Sequence, residues 1–340
     1  MTREAATAAF LAEAGWARAR RAPLAGDASA RRYERLSQGA ARAVLMDMPP
    51  ESGLVPLPFL RVTDWLRGAC FSAPEVLAAN PPQGLVLLED LGDDTFARLC
   101  AADATRAEAL YGAAIDALVA LQRLALPPGD ANWAPPPYDM TLLLREARLA
   151  VEWYLPAATG AAPGAECAAR FEALAAEAFA PLLAAPPVPV LRDYHAENLI
   201  WLPARAGHAR VGLLDYQDLL VGHPAYDVIS LLEDARRDID ECLRARMLSR
   251  YIAASGADPH DFSLAAHTLS AQRNLKILGL FTRLCRRDGK PRYLDLLPRV
   301  WGHLARDLGH PALAPLAAWV GDTLPPPEPA VRARIAARAA

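Results

Sequence analysis

The segment VLRDYHAENLIW (residues 190–201) sets a dense run of polar side chains between two apolar stretches. Val188 to Leu191 has the apolar, β-branched character of a buried strand, and apolar sequence resumes at Leu199. Polar groups concentrated in a loop between strands are typical of a functional site. The polar residues of this loop are Arg192, Asp193, Tyr194, His195, Glu197 and Asn198.

A further acidic group follows at the end of the apolar run VGLLD (211–215), seventeen residues after Asn198. A loop Asp and Asn followed by an Asp behind a short hairpin is the layout used in magnesium-dependent phosphoryl transfer. One carboxylate orients the attacking hydroxyl and accepts its proton, while hard oxygen ligands hold the metal. Asp193 alone could be a turn former. In this order and spacing, Asp193, Asn198 and Asp215 favour phosphoryl transfer.

Three neighbouring polar residues each have two interpretations. His195 could act as a base or a ligand, but we favour a structural role in which it holds the loop. Asp218 is either a second magnesium or substrate contact or a carboxylate that caps the loop. Asp227, in GHPAYDVISLL, begins or caps a helix, and we expect it to hydrogen-bond the backbone of the loop.

The hydrophobic pattern divides the chain into a β-rich part and a helical part. Residues 1–95 predict a small unit with helices at 3–19 and 58–69 and strands at 31–37, 42–48 and 85–92. Later helices are predicted at 105–125, 139–155, 164–184, 224–235, 239–254 and 261–285, with strands at 188–191 and 210–215. We therefore expect an α+β protein of two lobes, 1–95 and 96–340, with a hinge at 87–92.

Composition limits the class of partner and the compartment. The 340 residues are 53% hydrophobic and 22% charged with a net charge of -3, which gives no basic field for a nucleic-acid partner. No stretch approaches the roughly 18 uninterrupted apolar residues of a membrane span, and the N-terminal residues lack the apolar core of a signal peptide. Five scattered cysteines without a CxxC pair indicate buried thiols in a reducing compartment. We expect a cytoplasmic protein with no membrane partner.

With these residues placed, the sequence resembles the aminoglycoside phosphotransferase/choline kinase group of protein-kinase-like small-molecule kinases. The resemblance is carried by LRDYHAEN (191–198), GLLDYQD (212–218) and GHPAYD (222–227). It implies a bilobal fold with a small β-rich N-lobe and a large, mainly helical C-lobe, and it implies ATP and Mg²⁺ as cofactors. The roles it implies are catalytic base for Asp193, magnesium ligands for Asn198 and Asp215, and loop support for Asp227.

A closer resemblance is to bacterial anomeric kinases that act on N-acetylmuramate and N-acetylglucosamine in cell-wall recycling. It is carried by GDASARRYERL (26–36), LVLLEDLGDDTF (85–96) and LRDYHAENLIWLP (191–203), among other segments. It implies a sugar 1-kinase with a small-molecule sugar as its partner. Another hydroxyl kinase of the same fold, of the aminoglycoside or choline type, and a non-catalytic nucleotide-binding scaffold remain alternatives.

The nucleotide-binding residues depart from the family pattern in one respect. The strand lysine that grips the phosphates is replaced by Met46, and helix 58–69 offers Asp64 rather than a glutamate. Arg31 or Arg32 could grip phosphate instead, since an arginine fork suits that anion, or both could be ordinary strand residues. Leu191 stands where the loop motif normally begins with His, which we interpret as repacking. Backbone groups expected at the phosphates and at adenine are those of Gly26, Asp27, Ala28, Ser29, Glu89 and Leu91.

The acceptor should lie against the helical lobe near the catalytic loop. Predicted substrate contacts are Arg145, Glu146, Asp218, Asn274 and Lys276. An anionic lactyl group on the sugar would favour a cation such as Arg145, Arg273 or Lys276, whereas polycationic aminoglycosides normally need an acidic pocket.

Overall fold

Residues 2–24 and 31–337 are described by the structure, which is a computed structural model. The chain divides into two units, each built from two separate segments. The first unit combines Met1–Pro135 with Ala196–Leu219, and the second combines Pro136–His195 with Leu220–Ala340. The α+β class predicted from the sequence is confirmed, because strands dominate the N-terminal region and helices the C-terminal region. The lobe boundary near residue 95 and the hinge at 87–92 stay predictions.

The strands of the described residues are β1 (Arg20–Leu24), β2 (Arg32–Gln38), β3 (Ala41–Asp47), β4 (Val76–Asn80), β5 (Leu85–Glu89), β6 (Val188–Val190), β7 (Leu199–Trp201), β8 (Val211–Leu213) and β9 (Leu220–Gly222). The α-helices are α1 (Arg3–Glu13), α2 (Leu57–Gly68), α3 (Phe96–Ala102), α4 (Ala107–Gln122), α5 (Met140–Ala147), α6 (Leu155–Thr159), α7 (Ala165–Phe179), α8 (Ala225–Leu232), α9 (Glu241–Ser255), α10 (Pro259–Arg286), α11 (Leu297–Asp307), α12 (Ala314–Thr323) and α13 (Pro329–Ala336). Within the described residues, no helix is long and apolar enough to cross a membrane.

The first unit is built on an antiparallel sheet in the order β1-β2-β3-β5-β4. Leu45 of β3 is buried on one face in a hydrophobic cluster with residues of α1. Met46, the next residue, points to the opposite face and pairs with Tyr33 on β2 and Val86 on β5. The remaining members of the α1 cluster are Phe10, Leu11, Leu36, Ala43, Leu85 and Leu87.

Helix α1 is shorter than the predicted helix over 3–19, because a glycine turn ends it. The N–H of Gly15 donates to Ala12 and the N–H of Trp16 donates to Leu11, which together close the helix. Gly15 has a φ of 83°, a left-handed conformation that glycine adopts without strain. The freed segment leads into β1, an edge strand that tolerates Pro23 because its outer side needs no N–H donor.

A hairpin from late in the chain completes the first unit. Strands β7 and β8 pair with each other in antiparallel register. The N–H of Leu213 donates to the carbonyl of Ser72 at 2.9 Å, and the N–H of Trp201 donates to Asp94 at 2.8 Å. Gly212 is closely covered by side chains, since an added Cβ would lie 3.1 Å from Cβ of Ile200. The hairpin is therefore a packed part of this unit.

The second unit surrounds the long helix α10, which was predicted at 261–285. The predicted helix over 139–155 is interrupted, because a π-helical turn at Ala150–Tyr154 separates α5 from α6. Gly279 on α10 meets the backbone of Leu149 just before this turn, where an added Cβ would lie 2.1 Å from the Leu149 carbonyl oxygen. Only a glycine allows this crossing, which fixes α5 against α10.

Candidate active site

Asn198 and Asp215 lie at the same end of the β7–β8 hairpin. Asn198 immediately precedes β7, and its carbonyl accepts a hydrogen bond of 2.9 Å from the N–H of Leu214. Asp215 follows Leu214 and has a φ of 57°, a left-handed conformation that Asp tolerates better than most residues. The hairpin thus presents one amide and one carboxylate oxygen donor at a single edge. These are donor types that suit Mg²⁺.

The donor set fits a magnesium ion that keeps most of its waters. Within the described residues, no group of three or more His, Cys, Asp and Glu side chains has the arrangement of a metal site. Mg²⁺ does not require such a group, since it is commonly held by one or two carboxylates together with waters and substrate phosphates. The Asp215 side chain is 43% exposed, so a metal and its water shell can reach it.

Arg31 is the cation that the first unit places beside Asp215. Its Nη1 lies 3.3 Å from Oδ1 of Asp215, and its side chain is only 11% exposed. The pKa of Tyr33 is raised to about 12, mainly by burial. The charge of Arg31 opposes this shift and that of Asp215 adds to it, so the Tyr33 hydroxyl lies near both Arg31 and Asp215. Arg32 is exposed at the start of β2, so the structure places Arg31 rather than Arg32 next to Asp215.

Met46, at the position where the resemblance predicts a strand lysine, is fully buried opposite Tyr33. Its thioether cannot donate a hydrogen bond to phosphate. Arg31, which lies near Tyr33 and Asp215, is a cation on the same side of the sheet as Met46.

Gln217 joins two of the predicted acidic residues, and sequence reasoning missed it. Its Nε2 donates to Asp215 at 2.9 Å and to Asp218 at 3.2 Å. The neighbouring Tyr216 is buried, and its hydroxyl lies 2.7 Å from that of Thr63 on α2. The amide between two acids in DYQD was the available signal, because an amide can bridge carboxylates that would otherwise repel.

The predicted adenine-binding segment contacts the rest of the first unit through both its backbone and its side chains. The Glu89 carboxylate lies 2.5 Å from the Arg205 guanidinium, and the backbone N–H of Glu89 donates to the backbone carbonyl of Glu75 at 2.8 Å. Leu91 packs over Gly212, with its Cδ1 3.2 Å from the place of an added Cβ. Adenine binding by Glu89 and Leu91 stays a prediction. The predicted phosphate turn, Gly26, Asp27, Ala28 and Ser29, lies outside the described residues.

In the second unit, Asp227 holds the backbone of the predicted catalytic loop. Its two oxygens accept hydrogen bonds from the N–H groups of Leu191 at 2.6 Å and Arg192 at 2.9 Å. Arg192 has a φ of 72°, an uncommon conformation for a residue with a side chain. Burial raises the pKa of Asp227 to about 7, although the two N–H donors oppose that shift. The contacts fix the chain immediately before Asp193.

Asp193 lies among cations that favour its ionised form. Burial alone would raise its pKa, but the nearby Arg273 and Lys276 lower it below the ordinary value of an aspartate. The backbone N–H of His195 donates to the Asp193 carbonyl at 3.1 Å. The imidazole of His195 is buried, and burial lowers its pKa. Asp193 is therefore ionised near neutral pH, beside a neutral His195.

Arg273 on α10 reaches back to the loop through uncharged groups. Its Nη1 donates to the Arg192 carbonyl and to the Tyr226 hydroxyl, both at 3.2 Å. The same carbonyl accepts a 3.0 Å hydrogen bond from Ser230 on α8. Helices α8 and α10 thus both hold the backbone of Arg192, directly before Asp193.

The structure brings only some of the predicted substrate contacts to this loop. Glu146 on α5 is buried, and its Oε1 lies 2.5 Å from Arg192 and 2.9 Å from Lys276. Arg145 is exposed on the other side of α5, and Asn274 is buried, donating to the Ser270 carbonyl at 2.9 Å. Glu146 therefore contacts the loop at Arg192 and joins Lys276 to it. Arg145 is exposed and Asn274 bonds within α10, so neither is brought to the loop by these contacts.

A buried polar network, which no sequence pattern indicated, joins α8, α10 and α11. The Ser270 hydroxyl contacts Glu233, at the end of α8, and lies 2.5 Å from Asp307. One hydroxyl proton cannot serve two carboxylates, so the arrangement requires a proton on one of them. Burial raises the pKa of Glu233, whereas hydrogen bonds from His267 and Ser270 and the charge of Arg306 keep that of Asp307 low despite burial. Of the two carboxyls, Glu233 is the one whose burial favours the proton, although Arg244 and Arg306 lie 2.9 Å and 2.5 Å from its Oε1 and oppose that shift.

Residues 20–267 match the family described as "Phosphotransferase enzyme family". The N-acetylmuramate/N-acetylglucosamine kinase of Caulobacter vibrioides is 42% identical over 95% of this chain and 97% of its own length. The protein of the same description from Pseudomonas aeruginosa is 36% identical over 87% of this chain and 86% of its own.

Solved structures share the fold at low sequence identity. A choline/ethanolamine kinase family protein from Mesorhizobium loti has a TM-score of 0.59 at 16% identity, covering 94% of this chain and 99% of its own. The ADP-bound aminoglycoside phosphotransferase APH(2'')-Ib has a TM-score of 0.58 at 13% identity, covering 84% and 94%. The kinase-like fold expected from the motifs is confirmed.

Proposed function

The chain belongs to the phosphotransferase enzyme family, and from that premise we propose that it transfers the γ-phosphoryl group of ATP to a sugar. The proposed acceptor is the anomeric hydroxyl of N-acetylmuramate, N-acetylglucosamine or both, in peptidoglycan recycling. The observation that carries this proposal is 42% identity over nearly the whole length to a kinase named for these two sugars. A cytoplasmic location is part of the proposal, and the five free cysteines agree with a reducing compartment, although the expectation of buried thiols was wrong for all but Cys285.

Asp193 is the proposed catalytic base. The cations around it keep it ionised, and it would accept the proton of the sugar hydroxyl as that oxygen attacks the γ-phosphorus. The new oxygen–phosphorus bond forms as the bond to the ADP oxygen breaks. An anomeric hydroxyl is more acidic than an ordinary alcohol, so a carboxylate with a low pKa is an adequate base for it. Asp227 supports this step by fixing the backbone before Asp193.

The first unit supplies the proposed nucleotide and metal contacts. Asn198 and Asp215 would hold Mg²⁺, which when bound bridges and neutralises the phosphates of ATP. Arg31 would bind phosphate in place of the family lysine, and its 3.3 Å contact with Asp215 supports that assignment. Asp218, tied to Asp215 by Gln217, would orient a metal-bound water or the sugar.

Two alternative functions are less well supported. An aminoglycoside is a polycation, and the cations Arg192, Arg273 and Lys276 beside Asp193 would repel it. A non-catalytic nucleotide-binding scaffold would account for Met46. It would not need an ionised Asp193 or the hydrogen bonds from Leu191 and Arg192 to Asp227 that hold the backbone before it.

The test is ADP release from Mg-ATP with N-acetylmuramate, N-acetylglucosamine, kanamycin and choline offered separately. We expect turnover of an acetylated sugar and a loss of its reducing-end reaction, because a phosphate at C1 blocks ring opening. Asp193→Asn should lower kcat by at least about a hundredfold, while Asp322→Asn, an exposed control on α12, should not. Turnover of kanamycin or choline alone would overturn the acceptor, and binding of ATP without any turnover would favour the scaffold.

A further inference from the structure

The side chains of Arg192 and Lys276 meet at one carboxylate oxygen. Nη2 of Arg192 lies 2.5 Å and Nζ of Lys276 lies 2.9 Å from Oε1 of Glu146. The two cationic groups can be no farther apart than these two distances combined. Like charges at such a separation repel, and a single carboxylate balances only one of them.

The rest of the Glu146 side chain is engaged elsewhere. Its Oε2 accepts a hydrogen bond from the Tyr138 hydroxyl and a longer one, 3.4 Å, from Gln272. Glu146 is buried, and although burial disfavours its charge, Lys276 and Arg192 lower its pKa to about 2. Glu146 is therefore a fixed anion that draws two cations together.

The other charges near the catalytic loop leave a positive excess. The third cation, Arg273, has uncharged hydrogen-bonding partners and stands over the Tyr226 ring at 5.5 Å from its centroid. Asp193 supplies one further negative charge. Asp227 directs both oxygens at backbone N–H groups, and its pKa of about 7 leaves it only partly ionised at neutral pH. The three cations exceed Glu146 and Asp193 by one charge, part of which Asp227 offsets, so a further anion is favoured beside them.

Lys276 and Arg192 are the cations that can reach such an anion. Their side chains are 14% and 21% exposed, whereas Arg273 is buried. An ammonium has three N–H donors, and Lys276 directs two of them at Glu146 and, at 3.5 Å, the Tyr226 hydroxyl. The third donor remains for a ligand.

We infer that Lys276 and Arg192, held together by Glu146, form a subsite for a carboxylate on the acceptor. The pair binds the lactyl carboxylate of N-acetylmuramate, and N-acetylglucosamine, which lacks that group, gains nothing from it. This inference rests on the proposed function and adds a residue-level basis for choosing between the two sugars. Lys276 is the specificity-determining residue to test, because Arg192 also forms part of the catalytic loop.

The test is the ratio of kcat/KM for N-acetylmuramate to that for N-acetylglucosamine. Lys276→Met should lower this ratio by about tenfold or more, the usual value of a lost charge-assisted hydrogen bond. The ratio removes effects common to both sugars, such as a changed pKa of Asp193 or a change in folded fraction. Lys276→Arg keeps the charge and should restore most of the ratio.

Arg145→Met is the matched control, since Arg145 is an exposed cation on α5. It should leave the ratio unchanged. An unchanged ratio in Lys276→Met, or a fall in Arg145→Met of the same size, would overturn the inference while the enzyme still phosphorylates both sugars. Failure of the proposed function looks different, because the unmodified protein would then phosphorylate neither sugar.

Discussion

Replacing Gly279 with alanine should destabilise the second unit, although alanine is the better helix former. A Cβ at this position would lie 2.1 Å from both the carbonyl carbon and the oxygen of Leu149. These are backbone atoms, which cannot rotate away, so we place the overpacking cost at the upper end of the usual range, about 3 kcal/mol. The higher helix propensity of alanine relative to glycine offsets about 1 kcal/mol of this cost. The expected net loss is about 2 kcal/mol, equivalent to a melting temperature lower by roughly 4 °C.

The assay is urea and thermal unfolding of Gly279→Ala beside Gly302→Ala. Gly302 lies on α11 with nothing within 4 Å of an added Cβ, so that variant should gain about 0.5–1 kcal/mol. Because the Gly279 crossing fixes α5 against α10, we also expect a higher KM for the sugar in Gly279→Ala. A Gly279→Ala protein at least as stable as the unmodified chain would refute the reasoning.

Three further predictions concern Arg31, Asp227 and Glu233. Arg31→Met should raise the KM for ATP about tenfold through loss of a charge-assisted phosphate contact, with Arg32→Met as the exposed control; equal effects in steady-state kinetics would contradict this. Asp227→Asn turns an amide donor toward one of the two backbone N–H groups that Asp227 accepts from, so it should lower the free energy of unfolding by about 1–3 kcal/mol and also lower kcat. An unchanged melting temperature would contradict this. Burial and Asp307 raise the pKa of Glu233 from 4.5 to about 7, so its contribution to stability is complete below about pH 4.5 and is lost as the pH rises through about 7. Glu233→Gln keeps a neutral donor to Ser270 and should lose less stability than the unmodified protein between about pH 4.5 and about pH 7, and parallel melting curves would argue against a protonated Glu233.

The larger elements were predictable because their hydrophobic periodicity is strong. Strands β2, β3 and β5 and helix α10 lie close to their predicted positions. Strand β1 was missed because Pro23 suggests a loop, and only the sheet order shows that it occupies an edge. The break in the helix over 139–155 lies directly before Pro156, which has no N–H to continue the helical hydrogen bonds, and the prediction did not use that signal.

The loop around Asp193 could be singled out from the sequence because its polar residues follow a recognisable order and spacing, and its catalytic role stays a prediction. The partners of that loop were not predictable, since they come from helices whose mutual register no local pattern specifies. Glu146 was named as a substrate contact, but its pairing with Arg192 and Lys276 requires the crossing of α5 and α10. The choice of Arg31 over Arg32 likewise depends on which face of the sheet each side chain occupies.

The division of the first unit between Met1–Pro135 and Ala196–Leu219 has a consequence for synthesis of the protein. The carbonyl of Ser72 receives its hydrogen bond from Leu213, and the N–H of Ala97 donates to Ala196 at 3.0 Å. A ribosome must therefore translate all of Pro136–His195 before the partners of these groups exist. The N-terminal sheet can form early, but its unit is completed only after residues 196–219 have left the exit tunnel.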